Sequence, residues 1–117
     1  MLGAPVMNVL ETFFAVAVVN MERATAFYIA ALGATVAFAS PTWSSLQIAG
    51  VRVGLVLDTE HAPTRIGLHF AVSDLAIARA AIERSGGRTG AAAEVAPGVV
   101  VADATDTEGN TFTLAPR

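Results

Sequence analysis

The chain contains no cysteine. That excludes a disulfide framework, a thiolate metal site and a cysteine nucleophile. Charge is also scarce: charged residues fill 15% of the 117 positions, and ten acids against seven bases leave a net charge of −3. Lysines and arginines form no run, so the basic stripe that nucleic acid requires is missing. No apolar run approaches the roughly 20 residues that cross a bilayer. The start, Met1 to Asn8, lacks the basic region and small-residue cleavage site of a signal peptide. These absences predict a cytoplasmic chain with no nucleic acid and no membrane as partner. Met7 offers a second start, which leaves Met1 to Val6 as a loose extension. Aromatic residues are few, at 7%, and include a single tryptophan, Trp43.

What the chain has in plenty is apolar sequence, at 54%. With this length it predicts one domain over residues 1–117 with a substantial core. Few surface charges and much apolar surface predict burial in a homodimer.

The apolar pattern is written twice. Phe14-Ala15-Val16-Ala17-Val18-Val19 runs into Asn20, and a helical stretch follows that closes at Leu32-Gly33. Leu68-His69-Phe70-Ala71-Val72 runs toward Asp74, and a second such stretch closes at Gly86-Gly87. In both copies a strand pattern meets an Asx residue able to cap a helix, and glycine ends the helix. The helices are expected over Met21–Leu32 and Leu75–Arg84. Strands are expected near Thr35–Ala39, Ser44–Ile48 and Val51–Leu57 in the first copy. In the second they are expected at Ile66–Ser73, Thr89–Val95, Val99–Ala104 and Thr111–Ala115. The polar stretch from Asp58 to Arg65 divides the copies, and Ala49-Gly50, Pro97-Gly98 and Asp106 to Asn110 supply turns. The fold class is α+β: two tandem βαβββ modules, over about 11–58 and 65–116. Neither can bury its apolar face alone.

Arg23-Ala24-Thr25-Ala26-Phe27-Tyr28 followed by Leu32-Gly33, with Asp106-Thr107-Glu108-Gly109-Asn110 before the last strand, gives the repeat a family likeness. The chain resembles the glyoxalase, bleomycin-resistance and extradiol-dioxygenase superfamily, the vicinal oxygen chelate proteins, from about Glu11 to Ala115. The resemblance implies half-barrel sheets whose concave sides carry the ligand site. In the superfamily's enzymes it also implies a divalent metal held by His, Glu or Gln on the first and fourth strand of each module.

Carried onto this chain, those positions fall on Phe13, Leu55, Thr113, and either Gly67 or His69. Phe, Leu and Thr are not useful metal ligands, and one histidine without a carboxylate partner holds no metal tightly. No metal cofactor is therefore expected. The candidate ligand-binding residues are Phe13, Trp43, Gln47, Leu55, His69, Ala71, Thr111 and Thr113. Trp43 serves either as a stacking platform or as an anchor in the core or dimer interface. Gln47 is a polar handle in an apolar strand. Ala15, Ala17, Gly67, Ala71 and Ser73 form a wall of small side chains that leaves volume for a ligand. His69 and Asp103 are the candidate catalytic residues. Asp103 interrupts Val99-Val100-Val101-Ala102 and is either an exposed strand-end acid or a carboxyl with raised pKa near His69. The Asp58, Glu60 and His61 cluster lies in a polar connector and reads as a solvated loop. The reading that follows is a metal-independent binder of a small organic molecule, such as an antibiotic or metabolite to be sequestered. The alternative is a metal-dependent lyase, isomerase or dioxygenase of the same superfamily, and a third is a ligandless subunit.

Overall fold

The computed structural model describes residues 3–117; Met1 and Leu2 of the expected loose extension lie outside the described residues. The first module runs β1 (Phe14–Val18), α1 (Met21–Leu32), β2 (Thr35–Ala39), β3 (Trp43–Ile48) and β4 (Val51–Leu57). The second runs β5 (Thr64–Val72), α2 (Leu75–Arg84), β6 (Arg88–Thr89), β7 (Ala93–Ala96), β8 (Val99–Thr105) and β9 (Asn110–Pro116). Sheet one has the order β1-β4-β3-β2 and sheet two the order β5-β9-β8-β6, with β7 paired to β8. In each sheet the first strand lies parallel to the last strand of its module, and the other pairings are antiparallel. This is the α+β arrangement of two half-barrel modules.

Local chemistry sets the helices. Asn20 and Asp74 are extended N-caps whose side chains accept from the N–H of Arg23 and Ile77. Gly33 closes α1 in the left-handed conformation at φ 69°, which costs glycine nothing. One expected strand divides in two: Thr89–Val95 is broken by Gly90-Ala91-Ala92, which lack the branched side chains a ladder favours. β6 pairs with Ala104 and Thr105, whereas β7 folds over the Pro97-Gly98 turn onto Val99, Val100 and Val101.

The helices cover one side of both sheets. Under α1 lie Val16, Val18, Leu46, Val53 and Leu55, packed on Ala24, Phe27 and Tyr28; Leu68, Ala104, Phe112 and Leu114 pack with Ile82 of α2 into the same continuous core. The helices also contact each other. The other side of each sheet is left open, and among the described residues no ladder joins the two sheets. The radius of gyration is 16.1 Å, above the roughly 13 Å of a compact chain of this length.

The modules are locked by the turn before β9. Asp106, Glu108 and Asn110 are buried there, although all three are polar. Glu108 accepts from the Val19 and Asn20 N–H at 2.9 and 2.8 Å and from Arg23 Nε at 2.8 Å. Asn110 Nδ2 donates to the Ala17 carbonyl at 2.9 Å.

Candidate functional site

Strand parity decides which side chains reach the open faces. Residues directly opposite in a ladder share a face. Ala15 is opposite Gly54, and Ala17 opposite Val56. Trp43 is in turn opposite Val56, Ser45 opposite Gly54, and Gln47 opposite Arg52. Val16 and Val18, on the other parity, are buried beneath α1. The open face of sheet one therefore carries Ala15, Ala17, Trp43, Ser45, Gln47, Arg52, Gly54 and Val56, as well as Phe13 just ahead of β1.

Phe13, Trp43 and Gln47 lie on this open face, whereas Leu55, placed in the site by the sequence, does not. Leu55 is opposite Val16 and fully buried in the core. A shift of one residue along a strand reverses the face, so the fourth-strand position on the open side is Gly54. A Cβ at Gly54 would lie 2.3 Å from Trp43 Cη2, 2.8 Å from Cζ2 and 2.9 Å from Cζ3. Those distances lay the six-membered ring of the indole across Gly54. The absence of a side chain there is what lets Trp43 lie down on the sheet. Phe13 stands edge-on to Trp43, with centroids 6.2 Å apart and planes at 78°. The Arg52 guanidinium sits 5.0 Å from the Phe13 ring centre and donates to Ser45 Oγ at 2.9 Å.

On sheet two, His69 is opposite Thr113, and Thr113 opposite Asp103. Thr111 is opposite both Arg65 and Thr105, and Ala71 opposite Ala115. The open face of this sheet thus brings together His69, Ala71, Thr111, Thr113 and Asp103, with Gly67 between Arg65 and His69. Ala15, Gly67, Ala71 and Ser73 are exposed and Ala17 is half-buried, so the wall of small residues divides between two sheets.

Asp103 is not a raised-pKa acid beside His69. It is exposed, and Arg65 grips both its oxygens at 3.0 and 2.6 Å. The hydrogen bond from Arg65 is the largest cause; joined by that cation's charge, it outweighs desolvation and holds the Asp103 carboxyl below its ordinary range. Thr113 stands between it and His69 in the row. Asp58, Glu60 and His61 stay in the connector, where His61 Nε2 meets Asn110 Oδ1 at 2.8 Å.

Sequence reasoning missed Arg52, Ser45 and Gly54. Alternation in β4 held the signal: Val51, Val53, Leu55 and Leu57 are apolar and bulky, whereas Arg52 and Gly54 between them are not. An isolated glycine in a strand also marks a close approach.

At the positions implied for ligands stand a phenyl ring, a glycine covered by indole, one imidazole and a threonine hydroxyl. Among the described residues no group of three or more His, Asp or Glu side chains converges.

A profile of the glyoxalase-like domain matches residues 13–115. No curated protein is detectably similar in sequence. Among solved structures, the chain is similar to a bleomycin resistance determinant encoded on the transposon Tn5, at 18% identity and TM-score 0.74, over 93% of this chain and 98% of that one. It is similar to the fosfomycin resistance protein FosX from Listeria monocytogenes, at 14% identity and TM-score 0.77, over 95% of both chains. It is also similar to a bleomycin-binding protein from Streptomyces verticillus solved with copper(II)-bleomycin, at 14% identity and TM-score 0.70, over 96% of this chain and 99% of that one. At these identities the likeness to solved structures establishes the fold alone.

Proposed function

We propose a function on one premise: the chain belongs to the glyoxalase-like domain family. It binds a small organic molecule on the open faces of its sheets, without a metal ion, as a cytoplasmic homodimer that sequesters an antibiotic or a metabolite. The observation that carries this reading is the indole of Trp43 lying over Gly54. The fourth-strand position, where the resemblance implies a His, Glu or Gln ligand, is covered by an aromatic surface. A metal-dependent reaction needs donors converging from several strands, and His69 is the one side chain on these positions suited to the task. Apolar wall, aromatic plate and a few polar points make up the usual lining of a small-molecule site.

Dimerisation is supported by what the open side exposes. Phe13 is 41% and Phe38 56% exposed, and Phe38 is opposite Ser45 on the same face. A partner covering both sheets would bury the roughly 1,000 Å² or more of a specific interface. Sedimentation at micromolar concentration is expected to give a dimer, and a monomer would remove that part of the reading.

The alternative, a metal-dependent lyase, isomerase or dioxygenase, has His69 in its favour. Metal analysis separates the two. Protein dialysed without chelator is expected to hold well under one equivalent of zinc, nickel, iron or manganese, and to gain thermal stability from compounds in an aromatic and antibiotic-like screen. A stoichiometric ion lost on His69→Ala would overturn the metal-free reading. A screen without a single stabilising compound would overturn small-molecule binding.

A further inference from the structure

Arg52 on the open face of sheet one is held at three points. Its Nε donates to Ser45 Oγ at 2.9 Å, and Ser45 is itself only 1% exposed. The guanidinium lies over the Phe13 ring. The third hold is an ion pair from its terminal nitrogen to Glu11. The first two belong to the sheet or its immediate edge. Glu11 does not: it precedes β1 in a stretch without ladder hydrogen bonds, beside Val9 and Leu10, which are 61% and 88% exposed. An exposed pair of this kind contributes little and is readily exchanged. What remains when Glu11 leaves is an oriented guanidinium with free N–H groups, the geometry that favours carboxylate.

Two residues along β4 from Arg52, about 6.7 Å at the usual strand rise, Gly54 supports the flat indole of Trp43. On the same face the Phe13 ring contacts both the indole and the Arg52 guanidinium, so an aromatic surface and a cation stand as neighbours. Resting on the reading that this face binds a small molecule, we propose that Arg52 anchors the carboxylate of a planar aromatic ligand stacked on Trp43. Glu11 is then the intramolecular competitor that the ligand displaces. The ligand class is an aromatic carboxylate, chosen by charge complementarity to Arg52 and by the carboxylate that already occupies it.

Trp43 is the single tryptophan, so its fluorescence reports on this face alone. The whole chain is titrated with benzoate, with benzamide as the neutral analogue, and with phenyltrimethylammonium as the cationic one. Benzoate is expected to change the Trp43 emission saturably and to bind at least about tenfold more tightly than benzamide, in keeping with charged hydrogen bonds. Arg52→Gln is expected to weaken benzoate by about ten- to a hundredfold while leaving benzamide binding and the circular dichroism spectrum unchanged, which shows the platform intact. Glu11→Gln is expected to tighten benzoate about two- to fivefold, the reach of an exposed ion pair. Equal affinity for benzoate and benzamide, or benzoate binding indifferent to Arg52→Gln, overturns the anchor. Benzoate binding unmoved or weakened in Glu11→Gln overturns the competitor. A Trp43 response to benzamide or phenyltrimethylammonium with none to benzoate overturns the anchor but keeps small-molecule binding. Silence of all three overturns the anchor as well, and the compound screen above then judges the broader reading separately.

Discussion

Tyr28 Oη donates a 2.6 Å hydrogen bond to Asp106 Oδ2 across 78 residues of sequence, with both side chains buried. The bond joins α1 of the first module to the turn before β9 in the second. Asp106 also shapes that turn, since its Oδ1 accepts from the Glu108 and Asn110 N–H at 2.7 and 3.0 Å. Beside it, Arg23 pairs with Glu108. The helix signature Arg23 to Tyr28 and the turn signature Asp106 to Asn110 are thus two halves of one contact. Their shared task is to hold the modules together, and the proposed site lies on the opposite side of the sheets. Burial first, and the Asp106 charge next, push the Tyr28 hydroxyl far up from its ordinary range, so it stays a neutral donor.

Tyr28→Phe is expected to lower stability by about 1 kcal/mol, the net worth of one hydrogen bond. The loss stays modest because Asn110 Nδ2 continues to donate to Asp106 Oδ2 at 3.0 Å. Urea denaturation checks the size, and ligand titration on the same variant checks the location. Binding that falls along with stability would mean that the lock and the open faces are coupled, against the separation argued above.

Acid should weaken the lock through Glu108. Burial pushes its carboxyl up, but hydrogen bonds from Arg23, Thr107 and the Asn20 N–H, with the charge of Arg23, outweigh burial and hold it below the ordinary 4.5. A carboxyl lowered in the folded state gives its stabilisation in full above its unfolded value and loses it as pH falls through the folded one. Glu108→Gln is therefore expected to cost about 1.5–3 kcal/mol at neutral pH, and the gap from wild type should close as the solution is acidified below 4.5. Asp103→Asn is the control. Its pairing with Arg65 has the same sign of shift, but the exposed setting makes its pH-dependent loss small. Equal acid sensitivity of the two variants would contradict the assignment of the lock to Glu108.

Much of this architecture was legible because its signals are local. Asx caps and a closing glycine bound Met21–Leu32, and the Ala49-Gly50 turn marked the start of Val51–Leu57; both elements run between those residues. Side-chain direction was less legible where it was sought by counting. Placing the fourth-strand position on Leu55 put a core residue in the site, although the alternation of β4 itself pointed to Gly54. Asp103 read ambiguously because its partner, Arg65, comes from β5, two strands away in the sheet with β9 between. No spacing in a single sequence encodes that pairing. Glu108 and Arg23 were visible as motif residues, but only the folded chain brings them within 2.8 Å.

Gly54→Ala tests the arrangement on which the functional reading rests. A methyl group there meets three indole carbons at 2.3 to 2.9 Å, closer than real Cβ contacts allow, so Trp43 must lift from the sheet. The backbone has no need of glycine, since Gly54 lies outside the positive-φ residues. The cost is therefore the steric one of a forced side-chain shift, about 1–3 kcal/mol. Freed of its seat, Trp43 becomes more solvated and loses its edge contact with Phe13. We expect red-shifted tryptophan emission, a lower thermal midpoint and weaker binding of every planar compound that stabilises the wild type. Trp43→Ala should lose the same compounds with less cost to folding, because it removes the ring without a clash. Compounds that bind both variants as they bind the wild type would mean that the site lies away from the indole, and sheet one would lose its place in the function.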